Sequence, residues 1–228
     1  MKWFSFIFLL LGPLSGCGFS ANQSTQDNLT MDVPMSSLAF TVAYDGGGFV
    51  SLSGSSMTMQ PMVSASNNET HAALVLLKQT QETPVRDFEL VLDVQVVRQL
   101  RQNSAPNPWE VFWLFFSYNS DNAGTKTTNY FLSKPQVGAE LGLAFNQVGQ
   151  TFLSNDAVAA TTIGERHIFK YRRVNNAFTV YRDGVLFYSY VDSDSTKLYF
   201  QKGALGLYTE DAQVQIFSVQ YTNLDNLL

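Results

Sequence analysis

Cysteine is nearly absent from this chain: among 228 residues only Cys17 carries a thiol. One cysteine excludes an internal disulfide framework and every paired-cysteine metal site. Histidine is almost as scarce. His71 and His167 lie far apart in sequence, without the spacing of a zinc ligand set. Charged residues make up only 14% of the chain and sum to −5, leaving no basic stripe for a nucleic-acid partner. Lys170, Arg172, Arg173 and Arg182 cluster mildly, which in alternating strands reads as one solvated face. No apolar run is long enough to cross a bilayer: Trp3 to Leu14 is too short and contains Pro13. A 3.6-residue apolar period is never sustained over three turns, so no long helix is expected. There is no Gly-x-Ser-x-Gly elbow and no glycine loop leading into a helix. Asp45-Gly46-Gly47-Gly48 resembles a phosphate loop in composition only, and between two strands it reads as a flexible hairpin turn.

What the chain does hold is apolar and aromatic material, 45% and 14% of residues respectively, enough for a real core and too much for a disordered chain. Residues 18–34 are rich in Ser, Asn, Gln and Thr and read as a tether. From Ser36 onward, short apolar runs alternate with Gly, Asn, Asp and Ser clusters at period two. Phe88, Leu90, Leu92 and Val94 share one face, with Glu89, Asp93 and Gln95 on the other. His167–Arg173 and Phe178–Arg182 form a hairpin around Val174-Asn175-Asn176, and Asp183-Gly184 makes a tighter turn into the next strand. Strands are expected at Leu38–Tyr44, Phe49–Leu52, Ser56–Gln60, Ala72–Gln79, Asp87–Val97, Glu110–Tyr118 and Thr128–Lys134. Further strands are expected at Ala139–Phe145, Gln150–Ser154, Leu186–Tyr190, Ala204–Tyr208 and Gln213–Tyr221. So many short strands in about 210 residues indicate an all-β, two-sheet antiparallel sandwich of jelly-roll type.

The N-terminal Lys2, the apolar run Phe4 to Leu11, and Leu14-Ser15-Gly16-Cys17 together resemble the signal and lipobox of a bacterial lipoprotein. The resemblance implies a signal peptide over residues 1–16, then a lipidated Cys17 with a tether through residue 35, then a β-sandwich domain over residues 36–228. Lipidation would consume the only thiol. Gly18 is not the aspartate that retains enterobacterial lipoproteins at the inner membrane, so the implied location is the cell envelope at the outer membrane. Asn28-Leu29-Thr30 and Asn68-Glu69-Thr70 match the glycosylation sequon, which the bacterial character of the leader makes incidental.

The stretch Phe178-Thr-Val-Tyr-Arg-Asp-Gly-Val-Leu, followed by Gly203-Ala-Leu-Gly-Leu-Tyr and Val214-Gln-Ile-Phe-Ser-Val, resembles the C-terminal half of concanavalin-A-like (laminarinase-like) jelly rolls. Arg86-Asp87-Phe88-Glu89-Leu90 is similar to a strand start common in the keto-glycoside-hydrolase-like branch. The resemblance implies either carbohydrate binding without catalysis or, as the alternative, a glycoside hydrolase or polysaccharide lyase acting on an envelope or extracellular polysaccharide. Laminarinase-like enzymes carry Glu-x-Asp-x-Glu on one strand. The nearest match here, Glu89 to Asp93, has Val91 in the middle and reads as the polar face of a sheet.

The densest aromatic stretch is Trp109 to Tyr118. In an extended strand Trp109, Trp113 and Phe115 share one face, while Glu110, Phe112, Phe116 and Tyr118 share the other. Such a strand is either covered on both sides or lines an aromatic groove with its second face. Sugar rings stack on aromatic faces, and a carboxylate beside them can bind hydroxyls or act as acid or base. Glu110 is therefore the candidate catalytic group, with Trp109, Trp113, Tyr118, Asn129, Tyr130 and Glu140 as candidate substrate contacts and Lys134 beside them. Glu210 and Asp211 could hold a structural calcium ion, common in this superfamily, or form an exposed turn; no other cofactor is expected. The expected partners are a glycan and, through the lipid, a membrane. In a bacterial host fed an alkyne-tagged fatty acid, the protein should take up label, and Cys17→Ser should abolish it; label retained by that variant would refute the anchor.

Overall fold

The computed structural model describes residues 30–120, 126–136, 138–145, 149–156, 160–193 and 201–225. Alternating side chains and turn residues build fifteen strands and one short helix among these residues. They are β1 (Met31–Asp32), β2 (Phe40–Tyr44), β3 (Phe49–Leu52), β4 (Met57–Gln60), β5 (Ala72–Leu77), α1 (Lys78–Glu82), β6 (Phe88–Gln99), β7 (Phe112–Ser120) and β8 (Lys126–Ser133). The chain continues through β9 (Ala139–Phe145), β10 (Gly149–Asp156), β11 (Arg166–Val174), β12 (Ala177–Arg182), β13 (Val185–Val191), β14 (Ala204–Glu210) and β15 (Ala212–Asn223). Lys78 to Glu82, polar and free of a β-branched apolar run, turns helical where a strand was expected to reach Gln79.

The strands form two antiparallel sheets. The first runs β13-β12-β11-β6-β15-β4-β3, with β1 also paired to β15; the second runs β10-β9-β8-β7-β14-β5-β2. Met31 and Asp32 pair with Tyr221 and Gln220, so the last residues of the expected tether already belong to the sandwich. The Asp45–Gly48 turn joins β2 of the second sheet to β3 of the first, making it a corner between sheets, not a hairpin. Gly46 has φ +65 there, and a Cβ would meet the Ala72 carbonyl oxygen at 2.4 Å, so no other residue fits.

The core lies between the sheets. Phe88, Leu90, Leu92 and Val94 of β6 face inward as their alternation predicts, against Leu114, Phe116, Phe131 and Leu141 of the second sheet. Each fully buried side chain of this size contributes about 1.5–3 kcal/mol. Phe116 stacks on Phe178 across the sandwich, with centroids 4.8 Å apart. On the outer side of the first sheet the polar face is present: Arg166 holds Asp93 through two 2.6 Å bonds, and Lys170 and Arg172 lie beside Glu89. Arg173 departs from that face. It is fully buried, donates to the Ser117 hydroxyl at 2.8 Å and the Gln201 carbonyl at 3.0 Å, and burial lowers its pKa to about 10.

Ser117 itself sits at φ +61 in a bulge of β7, where the pairing register with β8 shifts. Gly203 packs against it so closely that a Cβ would lie 2.4 Å from the Ser117 carbonyl carbon. Because that neighbour is backbone and cannot swing away, Gly203→Ala should lower unfolding stability by about 1–3 kcal/mol, measurable by urea denaturation.

Candidate functional site

One end of the sandwich is held by charge. Arg101, just beyond β6, donates Nε to Glu110 and Nη2 to Asp211 at 2.8 Å, all three side chains being buried. Nη1 donates to the Ser66 carbonyl, and Asn107 donates to Glu110 at 2.8 Å. Asp211, at φ +43, is the single residue between β14 in one sheet and β15 in the other. Its second carboxylate oxygen accepts from the Ser64 hydroxyl and from the His71 backbone N–H at 2.9 Å. Two carboxylates and one guanidinium thus bind three loops into one corner.

The outer face of the second sheet carries a second apolar layer, made of Leu74, Leu76, Val111, Trp113, Phe115, Tyr130 and Leu132. Strand register arranges it in rows. Leu74, Tyr208, Trp113 and Leu132 stand side by side, and the next row is Leu76, Gly206, Phe115 and Tyr130. Above these rows lies a groove of about 810 Å³. It runs from Gly46, His71 and Glu210 at one end, past Tyr44, Tyr208, Trp113, Phe115 and Tyr118, to Thr128, Gln150 and Lys126. Phe115 and Tyr208 stack at 4.5 Å, and Trp113 packs on Tyr130 at 4.9 Å.

The expected site residues divide sharply. Trp113 and Tyr118 both line the groove. Tyr118 was expected on the Glu110 side of the strand; the bulge at Ser117 inserts a residue and carries it over to the Trp113 face. Trp113 is only 4% exposed and forms floor rather than wall, its indole N–H donating to the Trp109 carbonyl at 2.7 Å. Trp109 is 43% exposed but stands outside the groove lining. Tyr130 is fully buried beneath Trp113, so it supports the floor and cannot touch a ligand in this arrangement. Its hydroxyl donates to Glu140 at 2.8 Å, and Lys134 Nζ lies 2.7 Å from the other Glu140 oxygen. Glu140 and Lys134 are thus engaged with each other and do not line the groove. Asn129 faces the opposite way from Thr128 and Tyr130, as neighbours in a strand must, and is buried on the core side with neither amide atom bonded among the described residues.

Glu110 is a correction too. A catalytic carboxylate has to reach substrate, and this one is fully buried, held by Arg101 and Asn107 beneath the corner. The calcium expectation at Glu210 and Asp211 meets a similar obstacle, because both Asp211 oxygens are already occupied and its turn is buried. Among the described residues no group of three or more His, Cys, Asp or Glu could hold a metal ion. Cys17 lies outside the described residues.

Glu210, the neighbour of Asp211, points instead into the groove. Burial raises its pKa above the usual glutamate range, against the donated hydrogen bond from the Tyr208 hydroxyl at 2.9 Å, while Asp211 and Glu110 add repulsion. Tyr44, Tyr208, His71 and Gln150 were not singled out by sequence reasoning. Period-two alternation through Gly203–Glu210 does place Gly206, Tyr208 and Glu210 on one face, and that signal could have found Tyr208.

The sequence matches no protein-family model and no curated protein. Solved structures share the fold. A protein of unknown function with galectin-like fold from Bacillus subtilis superposes with TM-score 0.57 at 12% identity, over 85% of this chain and 94% of that one. Carbohydrate binding module CBM66 from Bacillus subtilis gives 0.54 at 14% identity, covering 81% and 96%. A Bacillus licheniformis beta-glucanase gives 0.52 at 14% identity, covering 87% and 100%. The chain has a two-sheet antiparallel jelly-roll fold of concanavalin-A-like form.

Two measurements follow from the corner and the groove acid. Arg101→Met leaves two buried carboxylates without their cation and should cost about 3–5 kcal/mol of unfolding free energy in urea titrations. Glu210, whose folded-state pKa is raised, contributes stability that is complete below the ordinary glutamate pKa and is lost as pH rises through the folded value. Glu210→Gln should remove that part of the pH dependence above the ordinary glutamate pKa, checked by melting curves from about pH 4 upward.

Proposed function

We propose that this chain is a non-catalytic glycan-binding sandwich that lays an extended oligosaccharide along the aromatic floor of the second sheet. One observation carries the reading: the groove is lined by Tyr44, Trp113, Phe115, Tyr118 and Tyr208, yet by a single carboxylate, Glu210, among the described residues. Aromatic faces take the apolar faces of sugar rings. Hydrolysis of the usual kind needs two carboxylates flanking the bond to be broken, so a hydrolase is the weaker reading. From the Trp113 row to the Tyr118 row the floor runs on the order of 13 Å at the rise of a strand, room for roughly two or three linked rings. With Cys17 acylated, the groove would be tethered at a bacterial envelope, facing polymers there.

Binding is read by titration calorimetry against a panel of soluble polysaccharides. The wild-type domain should bind at least one member saturably. Tyr118→Ala and Tyr44→Ala, both at half-buried positions on the groove wall, should each weaken it on the order of tenfold while melting as the wild type does. Affinity unchanged in both variants, or no saturable binding by the wild type, would sink the proposal.

A further inference from the structure

The groove's two ends differ in charge, and the difference has a structural cause. At the end formed by β5 and β14, Glu210 faces the groove. Directly behind it stand Asp211 and Glu110, which share one guanidinium, Arg101. Glu69 adds a fourth carboxylate, 3.6 Å from the imidazole of His71, which lines the same end. Four carboxylates therefore meet one arginine and one histidine. Glu210 makes no salt bridge among the described residues; its polar partners are the Tyr208 hydroxyl and the Trp109 indole N–H. Lys126 lies at the opposite end, beyond Tyr118: it pairs with Ser120 at the far end of β7, whereas Glu210 follows Thr209, which pairs with Phe112 at the near end.

We propose that Glu210 sets the charge class of the ligand, so that the groove accepts a neutral glycan at this end and rejects one carrying a carboxylate or sulfate there. This rests on the glycan-binding reading above. The chemistry is repulsion in a partly dry site. Two like charges a few ångströms apart repel far more strongly where water is excluded than in bulk, and among the described residues Arg101, behind this end, is already held by Glu110 and Asp211 while His71 lies beside Glu69. The charged form of Glu210 is already disfavoured by burial and by Asp211 and Glu110, so an anionic sugar would add to an existing strain. A neutral hydroxyl meets the opposite situation. It can donate to the oxygen lone pairs of Glu210 that Tyr208 and Trp109 leave open, forming a charge-assisted hydrogen bond.

The test uses matched ligands: the neutral polysaccharides of the panel and the same polymers oxidised at C6 from primary alcohol to carboxylate. Backbone and linkage are shared within each pair, so the ratio of affinities reads charge alone. The wild-type domain should prefer the neutral member by about tenfold or more. Glu210→Gln, nearly isosteric, should shrink that ratio about tenfold: the oxidised member binds more tightly as the repulsion is lost, and the neutral member binds more weakly as its charge-assisted hydrogen bond is lost. A ratio unchanged by Glu210→Gln, or a wild-type preference for the oxidised polymer, overturns charge selection while leaving glycan binding intact. Absence of binding to every polymer, neutral and oxidised, by a wild-type domain with a normal melting curve overturns both readings together.

Discussion

The constraint on which the rest of this molecule depends is the burial of Arg101 between Glu110 and Asp211. A charge removed from water must be matched by partners with good geometry or the fold loses several kcal/mol. Here the guanidinium offers its planar fork to two carboxylates from different loops and a third bond to a carbonyl. Asp211 is also the one residue by which the chain leaves the second sheet and enters the first. The ion trio therefore ties the relative position of the sheets to the geometry of one guanidinium. Arg173 performs a related task at the far end, spanning from β11 to the bulge at Ser117. Two buried arginines close the two ends, and the apolar core between them needs no charged help.

The corner also decides what the groove contains. Successive residues at a strand end face opposite ways, so when Asp211 turns inward to Arg101, Glu210 turns outward. A residue that would otherwise be a surface glutamate is placed beside Tyr208 and above Ala72, its register partner. The bulge at Ser117 acts likewise at the other end by moving Tyr118 to the groove face. Both ends of the site are thus set by backbone irregularities, at Asp211 and Ser117, each of which a buried arginine holds through its side chain.

This explains how much was legible in the sequence. Period-two alternation from Phe88 to Val94, and the turns at Asn175-Asn176 and Asp183-Gly184, are local signals, and the strands and hairpins they imply are present. The aromatic run from Trp109 to Tyr118 left open whether its second face is covered or lines a groove; Phe112, Leu114 and Phe116 pack between the sheets, while Trp113 and Phe115 floor the groove. What could not be read was non-local. Arg101 and Asp211 are separated by 110 positions, and nothing near Glu110 announces that its partner is Arg101. Without that pairing, a carboxylate among aromatics looks like chemistry. Asn129 and Tyr130, both candidate contacts, cannot share the groove face, because alternation turns neighbours in one strand opposite ways. Tyr118 differs for the opposite reason: strict alternation puts it opposite Trp113, and the bulge at Ser117 reverses it.

The polar groups of the floor are spent internally, and this bears on what the groove can recognise. The Trp113 indole N–H goes to the Trp109 carbonyl, the Tyr130 hydroxyl to Glu140, and the Tyr208 hydroxyl to Glu210. Each bond fixes a ring in place and withdraws its polar tip from a ligand, leaving faces and edges of rings as the surface on offer. On the proposed reading, a platform of that kind would bind by stacking and exclude water, and it would discriminate poorly among sugars that present a similar apolar face. Hydrogen-bond discrimination then falls to the few polar groups around it: His71 and Glu210 at one end, Thr128 and Gln150 at the other. Of these Glu210 alone is a carboxylate, and the same buried network that fixes the sandwich keeps it without a cationic partner. Stability and the proposed selectivity would therefore share one source, the allocation of a single guanidinium to two of the acids that surround it.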